Sequence, residues 1–196
     1  MPKIDAPTGL PMESRDGIHP RQFVIDMIPS GAVCAEIGVW KADFSEKIAT
    51  HAKPREFHLI DPWAFIPSFP KRWYGGAAAS NQKDMDDIHQ RVITRMKQFP
   101  GITVHRQTSL EAAASFADHH FDWVYVDGDH SYKAAKDDIE AWFPKVKPHG
   151  IIAVDDYGWK DEAGTLSVKR AVDEFIKEHD LRKPTVRGNQ CILIVP

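Results

Sequence analysis

The sequence predicts a single α/β domain built on a seven-stranded, mostly parallel sheet, with an antiparallel last strand and helices on both faces. Short apolar runs bounded by turn residues alternate with segments of helical periodicity, which is typical of parallel strands joined by helical crossovers. The chain then closes with two β-rich segments, Thr185–Arg187 and Gln190–Val195, separated only by Gly188-Asn189. Because a two-residue connection joins only antiparallel neighbours, the sheet is expected to end in a hairpin.

The composition supports one domain and excludes several classes of protein. The chain has 196 residues, of which 42% are hydrophobic and 27% charged, enough to form a core and too apolar for wholesale disorder. A net charge of -3 argues against a nucleic-acid-binding surface. No apolar run approaches the roughly 20 residues of a membrane span, and the start of the chain lacks a signal-peptide centre. With only two cysteines, a reduced cytoplasmic protein is expected.

The elements follow in order along the chain. Residues 1–20 contain four prolines and few large apolar side chains, so we expect an extended arm that favours a homo-oligomer, followed by one domain over 21–196. A short apolar helix is predicted next, ending near Pro29. The five internal strands are predicted at Val33–Ile37, Phe57–Asp61, Ile102–Arg106, Phe121–Asp127 and Gly150–Asp155.

Three longer helices are predicted between the strands from apolar residues spaced three and four apart. Their stripes are Met85, Ile88, Val92 and Met96; Tyr132, Ala135, Ile139, Trp142 and Phe143; and Val168, Ala171, Val172, Phe175 and Ile176.

An acid and a glycine mark the end of the first strand. Gly38 lies where the strand must turn sharply and where a ligand can approach the backbone. Glu36 stands beside that turn and could meet a ligand ammonium or hydroxyl group. An ordinary tight strand–helix turn would account for the same residues.

A second acid, Asp61, ends the second strand. An acid at this place in such a fold commonly hydrogen-bonds both ribose hydroxyls of a nucleotide. The alternative is a turn or cap before Pro62. The separation of Asp61 from Glu36 favours the ribose role.

Two further acidic clusters follow neighbouring strands. Asp127 ends the fourth strand, and Asp155 and Asp156 end the fifth. Three converging carboxylates repel one another unless a cation or protons lie between them, and oxygen ligands without thiolates indicate Mg²⁺, Mn²⁺ or Ca²⁺. His130 follows Asp127 closely enough to act as a general base, with a pKa expected to keep it neutral at pH 7. The alternative is helix capping by Asp129 and surface turns.

On these residues, from Val33 to Asp156, the chain resembles the class I S-adenosylmethionine-dependent methyltransferases. Within that class it resembles the cation-dependent O-methyltransferases of small molecules, especially those that act on sugar hydroxyls of antibiotics. The resemblance implies a Rossmann-like fold, S-adenosyl-L-methionine as cofactor, Mg²⁺ or another divalent cation, and a small-molecule hydroxyl acceptor of the sugar, diol or catechol type. The terminal hairpin fits the reversed last strand of that fold.

The resemblance also implies roles for individual residues. Glu36 and Gly38 would form the methionine-side cofactor loop, and Asp61 would hold the ribose. The implied metal ligands are Asp127, Asp155 and Asp156, with Asp127 also beside the cofactor, and the implied catalytic base is His130. Ser109 and Asp129 are further candidates for cofactor or acceptor contacts.

The chain departs from the family pattern after Gly38, where Trp40 and Ala42 stand at positions that often hold further glycines. The branch that the chain resembles tolerates a bulky residue at the Trp40 position.

The segment 62–81 is unusually aromatic and contains a Gly75-Gly76 pair suited to a hinge. It is expected to be a lid over an apolar or ring-shaped acceptor. An insertion that buries its own aromatic rings or meets another subunit fits equally well. Its aromatic residues are Trp63, Phe65, Phe69, Trp73 and Tyr74.

The remaining histidines and cysteines suggest no chemistry of their own. We interpret His119 and His120 as surface residues and His58 as a core or interface histidine rather than a ligand. Cys34 and Cys191 are interpreted as buried small apolar side chains.

The residues are also compatible with two other functions. A metal-dependent hydrolase would use Asp127, Asp129, His130 and Asp155, but would leave Glu36, Gly38 and Asp61 without a role. A non-catalytic protein that binds the cofactor or its product is the other alternative.

Overall fold

The computed structural model describes residues 20–68, 79–161 and 163–196, and its centre is a single seven-stranded sheet in the order β3-β2-β1-β4-β5-β7-β6. The first five strands pair in parallel, and β7 is antiparallel to both β5 and β6. The predicted Rossmann-like fold with its terminal hairpin is therefore confirmed. The strands are β1 (Val33–Ile37), β2 (Glu56–Ile60), β3 (Ile102–His105), β4 (Phe121–Val126), β5 (Val146–Val154), β6 (Thr185–Arg187) and β7 (Gln190–Ile194).

Six α-helices and one short 3₁₀ helix (Phe143–Lys145) connect the strands of the described residues. The buried residues of α3 are the four apolar positions predicted for that helix. Apolar periodicity does not reveal α2 or α4, because these helices have only nine and seven residues. No described helix is long and apolar enough to cross a membrane. The helices are α1 (Pro20–Asp26), α2 (Asp43–His51), α3 (Gln82–Met96), α4 (Ser109–Ser115), α5 (Tyr132–Trp142) and α6 (Ser167–Glu178).

The core lies in two layers, one on each face of the sheet. Alternate residues of a strand point to opposite faces, so Val124 packs with Ile139 of α5 on one face. Its neighbour Trp123 packs with Ile48 of α2 and Met85 of α3 on the other face. Both cysteines are buried and unoxidised within these layers, as the sequence indicated.

One strand differs from its predicted bounds. β5 begins at Val146 rather than at Gly150 and runs through Pro148. The pairing of β5 with β4 shifts register between Phe121 and Trp123, which accommodates the extra residues of β5. Val146 pairs with Phe121, and the regular ladder begins at Ile151. The carboxyl end of the strand, which carries the acidic pair, lies where the sequence predicts it.

The predicted arm and lid can be compared only in part with the structure. The arm lies outside the described residues up to residue 19, and so do residues 69–78 of the 62–81 segment, with Phe69, Trp73 and Tyr74. At the start of that segment, Trp63 is fully buried in the core and its ring lies 4.6 Å from the His89 ring. The first aromatic residue of the segment therefore anchors it to α3, and the lid stays a prediction.

The sheet places four predicted site residues along one edge. Backbone hydrogen bonds continue one residue beyond the strands: Gly38 N–H donates to Ile60 O at 2.9 Å and Asp155 N–H donates to Val126 O at 2.9 Å. Asp127 N–H donates to Ile37 O at 2.8 Å. The residues after β1, β2, β4 and β5 are thus fixed side by side at the carboxyl edge of the sheet, where parallel sheets bind ligands.

Gly38 is the point where this edge is tightest. It has a φ of +88°, and a Cβ atom at this position would lie 1.9 Å from the carbonyl oxygen of Asp127. No side chain fits there without separating the ends of β1 and β4. Glycine is therefore required by the backbone, independently of any ligand.

We predict that Gly38→Ala lowers the free energy of unfolding by about 3 kcal/mol or more, because positive φ and a backbone clash act together. Gly31→Ala is the matched control: Gly31 has a φ of +69° but open space where a Cβ atom would lie, so the loss there is about 1 kcal/mol. Urea unfolding of both variants measures the difference. Equal losses would contradict the steric role of Gly38.

Candidate active site

Glu36 lies in the middle of the carboxyl edge and is buried. It is only 2% exposed, and among the described residues its Oε2 has no hydrogen-bond partner. Burial raises the pKa of Glu36 to about 8, against a smaller opposite effect of Ser45. A buried carboxylate oxygen without a partner is costly and is suited to receive a donor from a ligand. An ammonium group such as that of the methionine part of S-adenosylmethionine fits this position.

Asp61 is buried beside Glu36 and braces two loops. Its Oδ2 accepts the N–H of Trp40 at 2.9 Å and its Oδ1 accepts the N–H of Trp63 at 2.8 Å. The Trp63 indole donates in turn to the carbonyl of Trp40 at 2.9 Å. Asp61 therefore fixes the shape of the loops that follow β1 and β2. The ribose role stays a prediction.

The two non-glycine residues of the cofactor loop adopt the left-handed conformation. Trp40 has a φ of 53° and Ala42 a φ of 63°. Such a conformation costs a non-glycine residue roughly 1–2 kcal/mol, which is a physical reason to expect glycine at these positions. The Asp61 and Trp63 bonds to Trp40 hold the loop in this shape despite the cost.

The second part of the site is an acidic cluster at the ends of β4 and β5. His130 Nε2 lies 3.2 Å from Asp156 Oδ2 and 3.5 Å from Asp127 Oδ1. One ligand atom from each of these three residues lies within 4.8 Å of the others, close enough to share an ion. The structure therefore brings together three of the residues that the sequence predicts for this site.

Asp155 has a different set of hydrogen-bond partners. It is 3% exposed, its Oδ1 accepts from the Gln190 amide and from the N–H of Asp156, and its Oδ2 forms an ion pair with Arg21. Gln190 accepts in turn from the Tyr125 hydroxyl at 2.9 Å. Asp155 therefore lies beside Asp127, with both carboxylates on Arg21, and its role as a metal ligand stays a prediction.

Arg21 is a functional residue that sequence reasoning missed. It lies in the first turn of α1, and its guanidinium reaches both Asp155 and Asp127, the latter at 3.1 Å. It also lies 5.2 Å from the centre of the Phe44 ring. No local pattern marks it among the 25 lysines and arginines of the chain, because the two carboxylates are more than a hundred residues away. The Arg21 guanidinium therefore supplies part of the positive charge that the sequence analysis expects from a metal ion.

The pKa values of the cluster follow from burial and from these charges. Burial opposes ionisation of Asp127, but Arg21 and His130 outweigh it and hold the pKa of Asp127 below its usual value. Burial and the Asp155 charge raise the pKa of Asp156 to about 7. Burial and the Asp127 charge likewise raise the pKa of Asp155.

The expectation that His130 is neutral at pH 7 is wrong for this arrangement. Burial by itself would lower the pKa of His130, but Asp127 and Asp156 outweigh it and raise the pKa to about 9. The histidine therefore carries a proton at neutral pH when no other cation lies beside the carboxylates. Its ring also lies 5.3 Å from that of Trp159.

Two further candidates are engaged in local structure. Asp129 accepts the N–H of Ser131 at 2.7 Å in a turn before α5, and the N-cap of that helix is Ser131 rather than Asp129. Ser109 begins α4 and accepts the Trp142 indole N–H at 2.9 Å. Contacts of either residue with cofactor or acceptor stay predictions.

The donor set fits a hard divalent cation in part. Asp127 and Asp156 supply carboxylate oxygens, the ligands that Mg²⁺ prefers, and the His130 ring lies beside them. Asp156 has a φ of 55° and is steadied by Asn189, whose amide donates to Oδ1 at 3.3 Å. Asp155 forms an ion pair with Arg21.

Comparison with known proteins agrees with this geometry. Residues 35–157 match the family model of a methyltransferase domain. The chain belongs to this family. Since the match spans both the Glu36–Asp61 region and the acidic cluster, the protein is an S-adenosylmethionine-dependent methyltransferase. No curated protein matches the sequence significantly.

Solved structures of methyltransferases share the fold at low sequence identity. A SAM-dependent methyltransferase from Aquifex aeolicus is 10% identical, with a TM-score of 0.61 over 90% of this chain and 89% of that chain. The O-methyltransferase NovP is 17% identical, with a TM-score of 0.60 over 90% and 77% of the two chains. The precorrin-6y C5,15-methyltransferase from Geobacter metallireducens is 14% identical, with a TM-score of 0.58 over 89% and 85%. These similarities establish the fold.

We predict two opposite effects for Glu36→Gln in this methyltransferase. Because the pKa of Glu36 is raised from 4.5 to about 8 in the folded state, its contribution to stability is complete below pH 4.5 and is lost as the pH rises through 8. The variant should therefore melt at a higher temperature than the wild type at pH 9 without cofactor. It should also bind S-adenosylhomocysteine about tenfold more weakly, since a charge-assisted bond of roughly 1.5 kcal/mol is lost.

Melting curves at pH 6 and pH 9 and calorimetric titrations check both effects. Glu140→Gln, at an exposed position of α5, serves as control. Unchanged affinity for S-adenosylhomocysteine would exclude Glu36 from the cofactor site.

Proposed function

We propose that this methyltransferase transfers the methyl group of S-adenosylmethionine to a hydroxyl oxygen of a small molecule, with help from a divalent cation held at the ends of β4 and β5. The observation that carries this proposal is the group of Asp127, His130 and Asp156 directly beside the Glu36–Asp61 edge. A cofactor-binding edge alone would suit any methyltransferase. The adjoining acidic group is what favours an oxygen acceptor.

The edge of the sheet suits the cofactor in this proposal. Glu36 offers its unpaired buried oxygen to the cofactor ammonium, and Asp61, held at the end of β2, would accept the ribose hydroxyls. Since β1 and β4 are neighbours and Gly38 touches the backbone of Asp127, a methyl donor held at β1 lies next to the end of β4. Such placement of two reactants lowers the entropic part of the barrier.

The acidic group suits the acceptor. Asp127 and Asp156 would hold a cation such as Mg²⁺, with Asp155 as a third ligand after Arg21 withdraws. When bound, the ion would lower the pKa of an acceptor hydroxyl and fix its position. An acceptor with two neighbouring hydroxyls, such as a sugar diol or a catechol, suits such a site. The O-methyltransferase NovP shares the fold and the class of reaction proposed here.

His130 would take the proton from the acceptor hydroxyl. A base needs a pKa near the working pH, and the pKa of about 9 in the presence of two unneutralised carboxylates is too high for that. Positive charge added beside Asp127 and Asp156 shifts the pKa of His130 downward. The proposed cation and the proposed base therefore depend on each other.

Calorimetry with S-adenosylhomocysteine and Mg²⁺ tests the two halves of the proposal separately. We expect micromolar affinity for S-adenosylhomocysteine, about -8 kcal/mol, and a Mg²⁺ heat that disappears in Asp156→Asn. Arg21→Met should bind Mg²⁺ about tenfold more tightly, because the competing guanidinium is gone, while Arg182→Met at an exposed position should match the wild type.

The outcomes have distinct meanings. Absence of S-adenosylhomocysteine binding under any condition would overturn the proposal and would favour the hydrolase alternative. Binding of S-adenosylhomocysteine without any heat of Mg²⁺ binding would remove the divalent cation from the proposed mechanism.

Replacement of the proposed base should lower turnover without a loss of cofactor affinity. We predict that His130→Gln lowers the rate of methyl transfer by about 10²–10⁴-fold and leaves the affinity for S-adenosylhomocysteine unchanged. Release of S-adenosylhomocysteine in the presence of a panel of catechols and sugar diols provides the assay. His149→Asn, at an exposed position with positive φ that asparagine tolerates, is the control. Undiminished turnover in His130→Gln would exclude the histidine from the mechanism.

A further inference from the structure

A second group of metal-ligating side chains lies on the α4–α6 face of the sheet, away from the carboxyl edge. We call it the histidine cluster, and its members are Glu56, His58, His105 and His120. Glu56 and His58 are two apart in β2 and therefore share one face of the sheet. His105 ends the neighbouring strand β3, and His120 immediately precedes β4.

The side chains of the cluster converge although they come from three parts of the chain. One ligand atom each from Glu56, His58 and His120 lies within 4.8 Å of the others. The rings of His58 and His120 are 5.9 Å apart between centres, and those of His58 and His105 are 5.2 Å apart. Two imidazoles and one carboxylate thus face a common point.

His58 has one ring nitrogen occupied and the other without a partner. Its Nδ1 lies 2.9 Å from His105 Nε2, so one of these nitrogens donates to the other. Its Nε2 is buried and, among the described residues, has no hydrogen-bond partner. Native proteins rarely leave such an atom unsatisfied. In a metal-ligating histidine the second ring nitrogen typically donates to a neighbouring acceptor, which here would be His105.

Aromatic packing accounts for only part of the cluster. Phe116 lies against the rings of His58, His105 and His120 at centre distances between 5.0 and 5.6 Å. This packing explains why the rings are half-buried. It gives the buried Nε2 atom of His58 no hydrogen-bond partner, whereas a ligated ion would occupy that nitrogen.

The cluster is also held in place before any ion binds. His119 adopts a φ of 56° and its N–H donates to the carbonyl of Pro144 at 3.0 Å, which fixes the loop that carries His120.

We propose that Glu56, His58 and His120 form a second metal site, which takes a zinc-type transition-metal ion and is supported by the hydrogen bond between His58 and His105. Imidazole nitrogens with one carboxylate suit Zn²⁺, whereas Mg²⁺ prefers oxygen ligands alone. The ion would tie the start of β2 to the loop before β4, across β1. The fourth position, for which the cluster supplies no ligand, would be filled by water.

Zinc titration of the full chain, carrying no histidine tag and freed of metal, tests the site. Saturating Mg²⁺ and the Asp156→Asn substitution keep the zinc away from the acidic group at the carboxyl edge. Under these conditions we expect one zinc per chain with micromolar or tighter affinity and a higher melting temperature. His58→Gln and Glu56→Gln should each weaken zinc binding at least tenfold, while His51→Gln, at the exposed end of α2, should not.

Co²⁺ provides an independent readout, because its visible absorption changes when imidazole nitrogens bind in a four-coordinate site. Loss of this spectrum in His58→Gln, with melting temperatures of the metal-free variants close to that of the wild type, would support the proposal. Glu56→Gln changes a half-exposed side chain and keeps the test valid if His58→Gln is poorly folded. The proposal would be overturned if both variants bound zinc as tightly as the parent protein. It would also be overturned if the Asp156→Asn protein bound no zinc in the presence of Mg²⁺.

Discussion

The contact between Gly38 and the backbone of Asp127 is the constraint on which the active site depends. Because a Cβ atom at Gly38 would lie 1.9 Å from the Asp127 carbonyl oxygen, the ends of β1 and β4 can be this close only with glycine. This closeness joins two chemically different halves of the site, the buried Glu36 with its loop and the acidic group around Asp127. The proposed reaction needs both halves, since the methyl donor and the acceptor must be held in contact.

Electrostatic compensation is the second determinant of the site. Three carboxylates at the ends of β4 and β5 are largely buried, which costs folding free energy unless opposite charges are near. Arg21 from α1 and His130 after β4 supply these charges. The first helix is therefore part of the site rather than an appendage. The same carboxylates raise the pKa of His130, which favours its protonated form in the protein without ligands. A general base must instead be unprotonated, so the proposed reaction needs a different charge balance beside His130.

The two candidate metal sites differ in the chemistry of their donors. The acidic group offers mostly oxygen, which suits a hard cation, and the histidine cluster offers mostly nitrogen, which suits a softer one. The first lies at the carboxyl ends of β4 and β5, and the second lies near the amino ends of β2 and β4 on one face of the sheet. Because different ions prefer them, each can be tested while the other is filled or removed.

The sequence by itself determined the strands, the longer helices and the position of the acids at strand ends, because these depend on local periodicity and on the geometry of a parallel sheet. It indicated for the same reason that Glu36, Asp61, Asp127, Asp155 and Asp156 lie at the carboxyl edge of the sheet. Only the tertiary structure decided that Arg21 faces Asp155, that the neighbouring carboxylates raise the pKa of His130, and that the half-buried His120 lies beside His58. These outcomes depend on side-chain directions and on distances between residues far apart in the chain, and a pKa or a buried unpaired nitrogen exists only once all the neighbouring groups are in place.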